Sequence, residues 1–317
     1  MQGKLIENTL AYKSKQIFFV LVKLIVVVAA FYMIYLKVIK NDGLAFSDFK
    51  NALFKSDVVL IKSLILLFTL SIANWCLEIL KWQQLAKLLR PISFFESCKQ
   101  CLFSLTASLI TPNRIGDYGA KALFYKKEQF KKCMALNFLG HSSQLSITIF
   151  FGVFGLLYLI THFSFNLALT STQKITIIAV VIFLIGIAIW IKTKKAYYLK
   201  KIVLQKPLIF KTLGFSLLRY VVFSFQFYFL LHLFHFNIMI LEAFAFTSAM
   251  YILASVIPAL SVFDVVIKGS ISVYLFGLLG YNPMAVLSIV LIMWLLNFAL
   301  PALIGSYFVI TFKPKSI

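Results

Sequence analysis

The sequence predicts an all-α protein that crosses a membrane about six times and adds two oppositely oriented re-entrant helical hairpins, in an inverted-repeat-like arrangement. Three observations predict it. The chain is 62% hydrophobic and 13% charged, with a mean hydropathy of +0.95, whereas soluble domains run near half apolar and a quarter charged. The apolar residues form long runs, and lysines gather between them with the asymmetry that orients membrane proteins. Two apolar segments are interrupted by a proline followed by an acid and a base. No polar stretch is long enough for a large soluble domain, so residues 1–317 read as one membrane domain. Its first half, 1–160, holds a hairpin at 97–127, and its second half, 174–317, holds one at 240–279.

The net charge is +21, from 31 Lys and Arg against 10 Asp and Glu. In a soluble protein this would suggest nucleic acid. Here the cations lie between apolar runs, so they read as topology signals and contacts to anionic headgroups, and no nucleic acid is expected. Cys98-x-x-Cys101 has metal or redox spacing but no second pair, and no metal or cofactor is expected.

Taken in order, residues 1–16 carry Lys4, Lys13 and Lys15 and are expected on the cytoplasmic side. Ile17–Leu36 is a first span, retained rather than cleaved, with Lys23 able to snorkel. Phe46, Phe49, Leu53 and Phe54 share a helical face within 37–58, which predicts an interfacial helix. Val59–Leu80 is the second span. Lys81, Lys87, Arg90 and Lys99 then mark the cytoplasmic side. Cys101–Ile110 is too short to cross a core of about 30 Å, and Lys126, Lys127, Lys131 and Lys132 follow it, so 97–127 is expected to enter and leave on that same side. Met134–Ile160 and Ile175–Ile191 are spans, and seven lysines from Lys192 to Lys211 give the strongest cytoplasmic signal. Leu208–Phe234 and Met284–Thr311 are the last spans. Both termini being cytoplasmic, 240–279 must enter and leave from the external side.

The two breaks share a pattern. Pro112, Asp117 and Lys121 recur as Pro258, Asp264 and Lys268, with the acid four residues before the base each time. That spacing puts acid and base on one helical face in the favourable order. Proline frees backbone groups, which cannot face hydrocarbon, so such a break is either a surface loop or a buried break lining a polar cavity, and the recurrence of the pattern favours the cavity. Interrupted helices at corresponding places in two halves mark the binding site of inverted-repeat transporters. Arg114 adds a planar cation suited to phosphate. Arg219 lies within an apolar run and has Glu78, Glu242 or a lipid phosphate as candidate partners.

The stretch Thr111-Pro112-Asn113-Arg114-Ile115-Gly116-Asp117 resembles the Thr-Pro-x-Arg-(Ile/Leu)-Gly-(Glu/Asp) signature of the lysylphosphatidylglycerol synthase transmembrane family, or flippase-like domain proteins. Pro258 with Asp264-Val-Val-Ile-Lys268-Gly269-Ser270 is similar to that family's second motif, with Ala259 and Leu260 where glycines are common, and Asp264 and Lys268 where Glu and Arg are usual. The resemblance covers nearly the whole chain in length and span order. It implies a protein of the bacterial inner membrane that binds and translocates an anionic phospholipid or polyprenyl-linked lipid. The chain ends at Ile317 without the aminoacyl-transferase domain of the namesake enzymes, so no lysyl transfer is expected. The candidate lipid-binding residues are Thr111, Pro112, Asn113, Arg114, Gly116, Asp117, Lys121, Arg219, Pro258, Asp264 and Lys268.

The alternatives are a membrane-embedded enzyme of lipid or cell-envelope metabolism, or a non-transporting scaffold. No His-Glu-x-x-His is present to hold zinc beside a base. Arg114 stands at the first glycine of a would-be Gly-x-Gly-Asp protease motif. Gly140-His141-Ser142-Ser143 is faintly similar to a lipid-phosphatase element, but no matching basic-Arg-Pro element precedes it. His141 reads first as hydrogen-bonded packing.

Overall fold

The computed structural model describes residues 57–109, 111, 114–163, 206–257 and 263–312. The expected spans at 17–36 and 175–191, the interfacial segment up to residue 56, and Pro112, Asn113 and Pro258 lie outside the described residues. Among the described residues the secondary structure is entirely helical. In order, α1 is Asp57–Ala86, α2 Phe94–Ala107, α3 Gly116–Ala122, α4 Phe130–His162, α5 Lys206–Leu233, α6 Ile240–Val256, α7 Asp264–Gly277, α8 Pro283–Trp294 and α9 Leu300–Thr311. Four stretches are long and apolar enough to cross a membrane: Ile61–Ala86, Lys127–His162, Lys206–Leu233 and Pro283–Thr311.

Helix α1 runs six residues beyond the expected end at Leu80. The lysine that suggested a boundary is interior: Lys81 is 2% exposed and lies 2.7 Å from Glu78, one turn back. Trp82 follows it into the core, with its indole N–H on Gln100 at 2.8 Å. Helix α2 begins at Phe94, because Ser93 caps it by accepting from the Glu96 N–H at 3.1 Å, the Ser-x-x-Glu start signal. It reaches only about 21 Å at 1.5 Å per residue.

The last rod, α8 to α9, is continuous but passes through a π turn at Leu295–Ala299. Pro301 is the cause. It has no N–H to give the carbonyl four residues back, which belongs to Asn297. The Trp75 indole N–H takes that carbonyl instead, at 3.0 Å.

Two hydrophobic clusters hold the helices. One gathers Trp82, Phe103, Phe124 and Phe308 from α1, α2, the turn after α3, and α9. The other gathers Phe227, Phe246, Phe276 and Trp294 from α5 to α8. The packing pairs recur in both halves. Helix α9 lies on α2 as α4 lies on α6; α3 meets α4 as α7 meets α8; α1 meets α5. A glycine lets α9 close on α2, and another lets α4 close on α6. A β-carbon on Gly305 would lie 2.2 Å from the Leu102 carbonyl oxygen, and one on Gly155 would lie 2.4 Å from that of Ala245. The two expected halves are therefore not separate bodies: each contributes the long helix that closes on the other's broken segment.

Candidate functional site

At the first break, Thr111 fastens the turn. Its hydroxyl donates to the Ser108 carbonyl at 2.8 Å and accepts from the Gly116 N–H at 3.0 Å. Arg114, inside this turn, has φ of 58°, a left-handed conformation that side-chain-bearing residues rarely adopt and that gathers at functional sites. Its Nε is buried without a hydrogen-bond partner. Among the described residues no carboxylate forms a salt bridge with it.

Asp117 follows in the first turn of α3 and is 1% exposed. Its Oδ2 accepts from Asn137 Nδ2 at 2.7 Å and from Lys121 Nζ at 3.3 Å, and lies 2.7 Å from His141 Nε2. Lys121 also donates to Asn137 Oδ1 at 2.9 Å and sits 4.6 Å above the Trp82 ring. The expected Asp117–Lys121 pair is present, as part of a four-residue cluster. Asn137 and His141 were not expected in it. Their spacing of four residues, which puts both on one face of an apolar helix, was the available signal.

The second break is looser. Lys268 Nζ lies 2.7 Å from Asp264 Oδ2 with side chains 31% and 39% exposed, and the ammonium lies 5.6 Å from the Tyr251 ring centre. Arg219, on α5, resolves its three candidate partners: Nη1 donates to Glu78 at 2.5 Å and Nε to Asn74 Oδ1 at 2.8 Å. Glu242 forms no salt bridge among the described residues. Asn74 Nδ2 continues to Asn297 Oδ1 at 2.8 Å, and Asn297 Nδ2 to Gln226 Oε1 at 2.8 Å, so the π turn feeds the same network.

These elements line an open-sided cavity of about 570 Å³. Arg114 reaches it from the first break, His141 from α4, Asp264 and Lys268 from the second break, and Arg219 from α5. Thr111, Gly116, Asp117 and Lys121 do not line it; they hold Arg114 and His141 in place from behind. Tyr251, Phe223, Trp294 and Asn297 are among the other residues of the wall and were not foreseen. The amides Asn74 and Asn297, each alone in a strongly apolar run, were the legible sign. Five cations at and behind this wall, Lys81, Arg114, Lys121, Arg219 and Lys268, face three carboxylates, Glu78, Asp117 and Asp264. Among the described residues the surroundings therefore carry two excess positive charges before His141 is counted, a balance that favours an anion.

No protein-family model matches the chain, and no curated protein or solved structure matches it.

Proposed function

We propose that this protein is a flippase-like lipid transporter. It binds an anionic phospholipid or polyprenyl-linked lipid by its phosphate in the cavity and carries the headgroup across the inner membrane of a bacterium. The observation that carries the reading is Arg114. Its guanidinium is held in a left-handed turn, without a described acceptor, in a cavity with excess positive charge. Charged groups at membrane depth are costly to keep, and mark substrate paths by default. A guanidinium offers a phosphodiester two parallel hydrogen bonds, and the aromatic side chains of the wall, Phe223, Tyr251 and Trp294, suit the neighbouring chain atoms.

The arrangement proposed with it is six spans plus two re-entrant hairpins, 97–127 and 240–279, entered from opposite faces, with both termini cytoplasmic. The short helices α2 and α7 and the packing pairs that recur in both halves support it. The resemblance of the Thr111–Asp117 motif to flippase-like domains points the same way.

Arg114→Lys keeps the charge but loses the bidentate fork. It should leave abundance near wild type while sharply lowering retention and flipping of an anionic lipid, and Arg114→Ala should do so at least as strongly. Reconstituted liposomes with a headgroup-labelled lipid and an external quencher measure this. Wild-type flipping by a folded Arg114→Ala protein would remove the residue from the site and favour a scaffold. Cysteines placed at Ser97 and Lys127 should label from the same side; labelling from opposite sides would turn the first hairpin into a full span.

A further inference from the structure

His141 belongs to two environments at once. Its Nε2 lies 2.7 Å from the buried Asp117 Oδ2, while its ring lines the cavity with 32% of the side chain exposed. Facing a carboxylate, Nε2 carries the hydrogen and donates it. In the neutral ring the lone pair then sits on Nδ1. A helical histidine can turn that nitrogen onto the carbonyl four residues back, as His162 Nδ1 lies 3.0 Å from the Tyr158 oxygen. His141 Nδ1 has no such partner among the described residues, and it is not among the buried polar atoms that lack one. We take Nδ1 as the accessible nitrogen of a ring that lines the cavity.

Among the described residues, the charges around the ring come from every element packed on α4. Helix α3 presents Asp117, Tyr118 and Lys121, with Arg114 just ahead of it. Helix α1 presents Glu78 and Lys81, and α5 presents Arg219. Helix α6 presents Tyr251 at the cavity and Glu242 in its first turn. Lys127 and Glu128 lie in the turn before α4, and Lys131 and Lys132 at its start, more than two helical turns from the ring. Asp264 and Lys268 stand across the cavity. Asp117 already has Lys121 as its counter-charge. A phosphate in the cavity would give a protonated Nδ1 an anionic acceptor of its own.

We propose that His141 is a proton-binding site coupled to the anion site, so that a phosphate-bearing headgroup enters the cavity together with a proton taken from solution onto Nδ1. The Nε2–H stays hydrogen-bonded to Asp117 throughout, and the one bond formed is the N–H at Nδ1. This rests on the anion-binding reading above and adds the ion that travels with it. Binding free energies are reciprocal, so the anion raises the ring's affinity for the proton by the factor the proton raises affinity for the anion. The pair links movement of the lipid to a transmembrane proton gradient.

The test uses the purified full-length protein in detergent and two probes, dihexanoyl-phosphatidylglycerol and glycerol phosphate. The diester does not titrate near neutrality. The monoester does, at about 6, so its own protons are subtracted with a protein-free blank. A pH indicator in weak buffer should show uptake of up to one proton per diester bound. The diester's Kd should tighten about tenfold from roughly pH 8 to roughly pH 6, the range over which an ordinary histidine titrates. His141→Gln keeps an amide N–H for Asp117 but cannot take a proton. It should abolish uptake and hold the affinity at the wild-type level of the alkaline end. Equal behaviour of glycerol phosphate would support the proton link and identify a free phosphate, rather than a lipid headgroup, as the ligand. Binding by wild type with no proton uptake and a flat pH profile would overturn the proton link and leave the anion site standing. Failure of wild type to bind either probe would sink both readings. Should His141→Gln not fold, the wild-type uptake and pH profile decide alone.

Discussion

At the first break Asp117 is 1% exposed and its Oδ2 meets Lys121, Asn137 and His141. At the second, Asp264 is 39% exposed and meets Lys268. The Asp-x-x-x-Lys spacing is the same, and in both places the pair forms. What differs is the neighbouring helix. Helix α4 brings an amide and an imidazole to Asp117, and α1 lays Trp82 under Lys121. Helix α8, which packs on α7 as α4 packs on α3, offers Ser288 as its polar side chain, and that hydroxyl is bonded to its own helix. Sequence spacing thus sets who can pair, and the neighbouring helix sets whether the pair is sealed. A sealed pair supports Arg114 and His141. An open one can release its lysine to a ligand.

The largest expected effect follows from the seal. Asp117→Asn strands the Lys121 ammonium, and breaking one partner of a buried pair costs about 3–5 kcal/mol. The protein should melt far lower in detergent or fail to accumulate. Asp117→Asn combined with Lys121→Met should regain most of that loss, since removing both charges is near neutral and an asparagine carbonyl still accepts from Asn137 or His141. Equal losses in single and double mutants would mean that Lys121 does not answer Asp117.

A smaller effect tests whether the halves correspond. Gly305→Ala and Gly155→Ala each drive a methyl group into a carbonyl oxygen of the partner helix, and overpacking of this kind costs about 1–3 kcal/mol. The two melting temperatures should fall by similar amounts, because each glycine joins a long helix to the first helix of a broken segment. A large drop for one and none for the other would break the equivalence.

Much of this was legible in the sequence because it depends on local spacing. The four long apolar helices, the two breaks and the two acid–base pairs all lie within one or two helical turns of the residues that announce them. The misplaced end of α1 shows the limit. Lys81 reads as an interfacial cation unless its burial beside Glu78 is known, and burial is a property of the helices that cover it. His141 read as packing for the same reason, since its partner Asp117 is 24 residues away. The π turn was half visible: Pro301 announces a lost hydrogen bond, but Trp75, 222 residues from Asn297, is what replaces it.

The smallest stability effect belongs to the open pair, and there the contrast is sharpest. An ion pair in contact with water contributes about 0–1 kcal/mol, so Asp264→Asn should barely move the melting temperature. Its effect should fall on the ligand instead. Without the carboxylate, Lys268 is free to meet a phosphate, and the cavity's positive excess rises by one charge. Asp264→Asn should therefore retain more anionic lipid through purification, and Lys268→Met, which leaves Asp264 facing the cavity alone, should retain less. Native mass spectrometry of the two variants beside wild type reads both directions in one experiment. If Asp264→Asn instead unfolds the protein as Asp117→Asn is expected to, the second pair is sealed after all. The division between a supporting break and a ligand-facing one would then have to be given up.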